Sequence, residues 1–394
     1  MDRADSVTEA VQQMTCLHAT EPASVYLSAF ARTEATRPDI DRAIYDDRTV
    51  VKQLAMRRTL FLFPRELLPA TWGSASARVA GQLRTRLAKE VESNGLAERG
   101  EGWVTRMFAD VLLALERDGP ATTAQLRERL PLLAQRLELA PGKSYGGSFP
   151  IAPRLLGTLA ATGSILRGAP EGEWRSPRPR WTLTDQWLGE SPEQQVESAE
   201  GYAVLVGRWL RSFGPGTEAD LVWWFGATKA AVRRALADLG AVEVTVTSAA
   251  VDPASDLAGQ TGGESVGYLL PDDLEDVAEP EPWAALLPVL DPTTMGWKQR
   301  GFYLAHDDVP HLFDSNGNAG TTAWWDGRVV GCWVQDPDGI VSVVLRHDIG
   351  AEGVRALDAQ ASRLTRWLDG ARVGTVYPSA LMKAAPAAAT RRPG

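Results

Sequence analysis

Apolar positions recur with helical spacing through most of the first 250 residues and with strand-like alternation beyond them. Val104, Met107, Phe108, Val111, Leu112 and Leu115 form one face of a helix that Asp118-Gly119-Pro120 stops. Tyr202, Leu205, Val206, Trp209, Leu210 and Phe213 repeat the same spacing. Earlier in the chain the pattern predicts helices over 7–16 and 24–33, with Pro22 at a helix start, and shorter helices over 39–46 and 49–54. Arg57–Pro64 is apolar and rich in β-formers, which predicts a strand. Residues 65–93 predict a long basic helix closed by Asn94-Gly95.

Two segments are copies of one pattern. GPATTAQL at 119–126 and GPGTEADL at 214–221 share Gly-Pro-x-Thr-x-Ala-x-Leu. An amphipathic helix precedes each. A second helix ending in glycine (Gly163, Gly240) and an extended segment follow each, with SILRG and RWTLT as paired strands in the first copy. Helix, Gly-Pro turn, capped helix, helix and β-wing is the order of a winged helix-turn-helix module. Residues 252–282 are rich in Asp, Glu, Gly and Pro and predict loop. AALLPVL, GFYLA, TTAWW, RVVGCWV and IVSVVL predict short strands, with Asp326-Gly327 and Asp338-Gly339 as hairpin turns. Trp324 and Trp325 take opposite faces of one such strand, so at most one is exposed. A helix at 351–368, a strand at 372–377 and a disordered end at 384–394 complete the reading.

Composition excludes several classes. The two cysteines, Cys16 and Cys332, are too few for a disulfide framework or a four-cysteine zinc site, and they fit a reducing, cytoplasmic setting. The polar N-terminus is no signal peptide, and no apolar run approaches the roughly 20 residues of a membrane span. Three of the four histidines lie beyond residue 305, against a zincin site. There is no P-loop, no GxGxxG after a strand and no GxSxG elbow. No cofactor and no metal are expected.

The net charge of −9 argues against an evenly basic surface for nucleic acid, but the charge is unevenly placed. Arg48 to Glu90 holds nine Lys/Arg against two acids, net +7, while Gly240 to Met295 holds eleven acids and no Lys or Arg. A +7 stretch is enough to track several phosphates. The wing-like loop at 167–180 adds Arg167, Arg175, Arg178 and Arg180, with Trp174 and Trp181 interleaved.

LHATEPASVYLSAFAR (17–32), RTLFLFP (58–64), LLPVLDPTTMGWKQR (286–300) and WWDGRVVGCW (324–333), in this order, resemble the AlkZ/YcaQ-like winged-helix DNA glycosylases. The resemblance spans essentially the whole chain. It implies an α+β fold: winged-helix domains over 1–99, 100–190 and 191–250, then a β-barrel-like C-terminal domain over 251–394. It also implies hydrolysis of the N-glycosidic bond of alkylated purines, chiefly N7-alkylguanine or bulky genotoxin adducts, including crosslinks. The partner would be double-stranded DNA, and a monomer is expected.

The family's catalytic motif is Gln-Φ-Gln or Gln-Φ-Asp, with Φ aliphatic. His18-Ala19-Thr20 stands at the matching positions, so the chemistry has to be rebuilt from what the reaction demands. An N7-alkylated purine is already a cationic leaving group. The enzyme must stabilise oxocarbenium character on the sugar and place a water at C1′. A neutral His18 can accept that water's proton or orient it, the Thr20 hydroxyl can hold the same water, and Glu21 is the nearest carboxylate. Cys16 is a weaker candidate, better read as a buried helix-end residue. Read without the family, His18 is a structural histidine and Thr20 a helix cap. For DNA contact the candidates are Arg57, Arg58, Arg84, Arg86, Arg175, Arg178, Trp297, Lys298 and Arg300, each against the plainer reading of solvated surface or packing. With no lysine near the motif, a Schiff-base lyase is disfavoured and a monofunctional hydrolase expected. Two other readings stand beside it. One is a non-catalytic winged-helix DNA-binding protein or lesion sensor; the other is a protein that sequesters a DNA-reactive metabolite.

Overall fold

A computed structural model of the chain describes residues 3–140, 142–143, 146–176, 178–189, 196–247 and 264–388. Contacts divide it into two units, one of residues 1–41 with 206–394 and the other of residues 42–205.

The chain opens with α1 (Val7–Gln13), capped by the Ser6 hydroxyl, then β1 (Leu17–His18), α2 (Pro22–Arg32) and α3 (Arg37–Asp41). The second unit starts with a hairpin of β2 (Val50–Ala55) and β3 (Thr59–Pro64), paired from Val50↔Pro64 to Ala55↔Thr59. The short helix expected over 49–54 is therefore a strand. Val50-Val51 is β-branched and the segment is buried on both faces, which suits a paired strand better than an amphipathic helix. Residues 65–93 are helical almost throughout, including α4 (Leu68–Thr71) and α5 (Ala77–Ser93), with Gly95 in the left-handed region as the closing signal.

Next come α6 (Gly100–Asp118), α7 (Thr123–Arg129), the pair β4 (Arg136–Leu139) and β5 (Gly147–Pro150), and α8 (Ile151–Ala161). The hairpin β6 (Ile165–Glu171)/β7 (Arg178–Leu183) and α9 (Thr184–Leu188) follow. Thr122 and Gln125 form a reciprocal capping box at the start of α7. Val104, Met107, Phe108, Val111 and Leu115 are buried against Leu126, Leu155 and Trp181, as the spacing predicts. A Cβ at Gly100 would lie 2.0 Å from the Ala88 carbonyl oxygen, so only glycine lets α5 and α6 approach this closely.

Helix α10 (Ser198–Phe213) carries the chain back to the first unit. The second copy of the repeat gives β8 (Gly216–Thr217), α11 (Glu218–Phe225) with a Thr217/Asp220 capping box, α12 (Lys229–Asp238) and β9 (Val242–Thr247). Residues 264–269, expected within a loop, form β10 (Glu264–Leu269), paired along its length with β9. The surrounding acids hid its Val266, Tyr268 and Leu269. Residues 252–263 of that expected loop lie outside the described residues.

The C-terminal part is β11 (Ala284–Leu287), α13 (Pro292–Met295), α14 (Val309–Leu312), β12 (Thr322–Trp325), β13 (Arg328–Gln335), β14 (Val341–Leu345), α15 (Gly350–Leu368) and α16 (Ala380–Ala388). The sheet runs β11-β12-β13-β14 and is antiparallel; among the described residues it does not close, so the barrel expected here is an open sheet. Asp326-Gly327 turns the β12–β13 hairpin with both residues at positive φ. Trp324 is buried and Trp325 only partly so, as strand alternation requires.

Three further expectations fail here. GFYLA (301–305) is a turn, because Phe302 packs edge-on with both Trp297 and Tyr303 and the Tyr303 hydroxyl donates to the Thr294 carbonyl. Residues 372–377 form no strand; their amides bond to side chains, Val373 to Gln335 and Val376 to Glu21. Residues 384–388 are helical within α16, while 389–394 lie outside the described residues.

Candidate active site

The candidate motif lies at the end of β1 and in the short link to α2, with His18 closing the strand and Thr20 and Glu21 preceding the helix. Proline at the first helical position fixes the start of α2, and Glu21, not Thr20, occupies the cap. The Glu21 side chain does not cap. It turns to the 375–376 segment, where Oε1 accepts from the Thr375 hydroxyl at 2.9 Å and from the Val376 amide at 2.6 Å. Burial pushes the Glu21 carboxyl above its ordinary range, and those two hydrogen bonds pull it part of the way back. His18 is half-buried and Thr20 exposed. The Thr20 amide donates to His18 Nδ1 at 3.4 Å, which assigns that nitrogen as an acceptor. Cys16 is fully buried, in line with a packing role.

The placement of α2 rests on a cluster absent from the sequence candidates. Asp291, with no exposed surface, accepts two hydrogen bonds from Arg32 at 2.7 and 2.9 Å and one from Ser28 at 2.6 Å. Its Oδ1 also accepts from the Thr293 amide and so caps α13. Ser24 donates to the Val289 carbonyl. At the other end of α2, Arg363 stacks 3.9 Å from the Phe30 ring and donates to the carbonyls of Phe30 and Thr33. That arginine satisfies carbonyls the helix end leaves open. The signal was present in the sequence as Arg32 on the helix face and the Asp-Pro-Thr run, but nothing in sequence spacing pairs positions 259 apart.

The candidate DNA contacts sort into two kinds. Arg57 and Arg58 form the tip of the β2–β3 hairpin, both in the left-handed region at φ 55° and 60°, with Arg58 exposed. Non-glycine residues held there carry strain of about 1–2 kcal/mol each. Arg86 is exposed and shares Glu90 with Arg154, and Arg178 is exposed at the start of β7. Arg175 pairs with Glu173 on the same loop. Arg84 is committed to α6, where it bonds Glu101 and the Thr105 hydroxyl.

The aromatic and cationic residues of the 297–300 run are mostly packing. Trp297 donates to the Phe213 carbonyl and meets Phe213 and Phe302 edge-on. Arg300 lies between the rings of Trp223 and Phe313, and burial depresses its pKa. Lys298 is exposed. On β6 the half-buried Arg167 lies over the Trp181 ring, where desolvation lowers its pKa to about 10, and Arg180 donates to the Pro120 carbonyl. Among the described residues no group of His, Cys, Asp and Glu is arranged to hold a metal, and no helix is long and apolar enough to cross a membrane.

The model of a family described as DNA glycosylase AlkZ-like matches residues 11–367. The solved structure of Streptomyces sahachiroi DNA glycosylase AlkZ is similar in fold, with a TM-score of 0.63 at 20% identity over 94% of this chain and 93% of that one. No curated protein sequence matches.

Proposed function

The chain belongs to the AlkZ-like DNA glycosylase family, and from that premise we propose that it is a monofunctional hydrolase of the N-glycosidic bond of alkylated purines. N7-alkylguanine and bulky adducts or crosslinks in double-stranded DNA are the substrates this reading favours. The segments over 1–99, 100–190 and 191–250 are read as winged-helix modules, since helix, capped helix, helix and hairpin recur in the second and third.

The observation that carries the proposal is His18 and Thr20 joined through the Thr20 amide, with the Glu21 carboxyl one residue on. With Nδ1 accepting, neutral His18 carries its proton on Nε2 and acts as a donor. It therefore orients the attacking water rather than deprotonating it, and the exposed Thr20 hydroxyl accepts from that water. A strong base is unnecessary, because the cationic purine leaves before the water has to lose its proton. When ionised, the Glu21 carboxylate adds negative potential opposite the developing oxocarbenium.

The test is incubation with an N7-methylguanine duplex followed by alkaline cleavage of abasic sites. Release of 7-methylguanine is expected, with His18→Ala and Thr20→Ala each slowing it at least tenfold. Unchanged rates in both variants would remove these residues from the chemistry. Tight binding to modified DNA with no release over hours would leave the chain as a lesion-binding protein.

A further inference from the structure

Phe302 is 54% exposed, more than any other Phe, Tyr or Trp among the described residues. A single exposed apolar residue is ordinary and needs no explanation by itself. This one is held in an unusual way. Its ring meets Trp297 edge-on at 5.0 Å and Tyr303 edge-on at 4.8 Å, and both of those rings are themselves anchored. The Trp297 indole donates to the Phe213 carbonyl. The Tyr303 hydroxyl donates to the Thr294 carbonyl, and the Tyr303 ring stacks 5.1 Å from Trp324.

The backbone of the turn is tied down as well. The amides of Lys298 and Gln299 both donate to Asp220 Oδ1, at 2.8 and 3.1 Å, and Asp220 is buried in the capping box of α11. The amides of Tyr303 and Leu304 donate to the Arg300 carbonyl, and the Tyr303 carbonyl accepts from the Val329 amide. The fold thus holds an apolar ring in water on a turn with little freedom left. A ring ordered in advance loses little entropy when it stacks on a partner. Residues 296–305 contain Lys298 and Arg300 and no acid, in a chain of net charge −9. Arg300 turns inward between Trp223 and Phe313, which leaves Lys298 as the exposed cation of this run. A rigid ring beside a cation suits stacked bases edged by phosphates.

Contacts also join the turn to the candidate motif. Thr15, three residues before His18, shares a hydroxyl–hydroxyl hydrogen bond of 3.0 Å with Ser212. The next residue, Phe213, packs 5.2 Å from Trp297, which in turn carries Phe302.

We propose that Phe302 is a wedge that enters the base stack of duplex DNA beside the damaged nucleotide, with Lys298 on the adjacent phosphate. Stacking shields the glycosidic bond of a base inside a duplex, and an apolar side chain driven between two base pairs opens that step. The ring then replaces part of the stacking that the separated bases lose. That the partner is DNA rests on the glycosylase reading; the anchored, exposed ring does not.

The test uses the full chain and a duplex with 2-aminopurine next to 2′-fluoro-N7-methylguanine, whose glycosidic bond resists hydrolysis because the fluorine disfavours positive charge on the sugar. 2-Aminopurine brightens when it loses its stacking partners. At saturating protein the wild type should brighten it, and Phe302→Ala should lose most of that rise. Phe302→Leu removes the ring contacts of the turn but keeps an apolar wedge, so it should retain the rise. Phe302→Ala should also slow release of 7-methylguanine from an ordinary methylated duplex by roughly tenfold. No rise in the wild type, or an equal rise in Phe302→Ala, overturns the proposal. Loss of the rise in Phe302→Leu as well assigns it to the ring contacts of the turn and also overturns the wedge. Base release by the wild type without brightening overturns the wedge and leaves the glycosylase reading intact. Brightening that depends on Phe302, with no base release from the ordinary duplex, supports the wedge and counts against catalysis alone.

Discussion

Replacing Arg32 with alanine should cost about 3–5 kcal/mol of stability, the range found when one partner of a buried ion pair is removed. The structure supports the upper part of that range. The Asp291 carboxylate is fully buried and accepts from Arg32 twice, from Ser28 once and from the Thr293 amide once. Losing Arg32 removes two charge-assisted bonds, each worth roughly 1.5–3 kcal/mol, and leaves the negative charge on two neutral donors. Both partners are shielded, Arg32 being only 12% exposed and Asp291 not at all, so little solvent screens the pair. The assay is urea unfolding followed by tryptophan fluorescence, with Arg117→Ala as control. Arg117 pairs with Asp118 on the surface, where solvent screening leaves such a pair with little net effect on stability. Asp291→Asn, alone and combined with Arg32→Ala, closes a double-mutant cycle, and a coupling of about 1–3 kcal/mol is expected. Because α2 follows directly on the motif, Arg32→Ala should also lose base release at temperatures where the rest of the chain stays folded. An Arg32→Ala cost no larger than that of Arg117→Ala would refute the view that this pair holds the helix.

Glu21→Gln should gain stability relative to the wild type as pH rises. A carboxyl whose folded pKa is raised contributes stability below its unfolded pKa near 4.5 and loses it as pH climbs through the raised value. Glutamine keeps an acceptor for Thr375 and Val376 without that loss, so thermal melts from pH 4 to 8 should diverge; a constant difference contradicts the burial argument. Gly163→Ala should destabilise more than Gly119→Ala. Both glycines have positive φ, but a Cβ at Gly163 would sit 2.8 Å from the Trp72 ring, whereas at Gly119 nothing lies within 4 Å. The backbone term alone is about 1 kcal/mol, so melting should separate the two, and equal losses would show that Trp72 yields. Arg86→Glu should weaken DNA binding and lower the salt slope by about one, while neutralising Asp272, Asp273, Glu275 and Asp276 should not. Equal effects of the two changes, read by fluorescence anisotropy, would make net charge the better guide.

Local patterns were the most legible part of the fold. The faces of α6 and α10, both Gly-Pro repeats with their threonine caps, and the Asp326-Gly327 hairpin all follow from spacing and turn chemistry. The errors came where tertiary pairing overrides local preference. Val50–Ala55 is a strand because Thr59–Pro64 lies beside it, and Phe302-Tyr303 is a turn because Trp297 packs there. The candidate site divides the same way. Family resemblance located His18, Thr20 and Glu21, but the partners of Glu21 lie 354 and 355 residues away, and nothing local announces them.

The basic stretch shows most directly how placement changes a charge argument. Sequence counts each arginine from Arg48 to Glu90 equally as a phosphate contact. In the fold each one has a different neighbour. Arg84 is held by Glu101 and Thr105, and Arg48 lies over the Trp187 ring. An arginine already in an ion pair must give up that partner to reach a phosphate, so its net gain from DNA is reduced by whatever the pair contributes. At the surface that contribution is about 0–1 kcal/mol, too small to remove a phosphate contact but large enough to rank the candidates. By that ranking Arg58, exposed at a strained hairpin tip, stands ahead of Arg84. Arg58→Ala should therefore cost more DNA affinity than Arg84→Ala at the same salt concentration. The reverse order would mean that the Glu101 pair opens freely and that charge count alone governs binding.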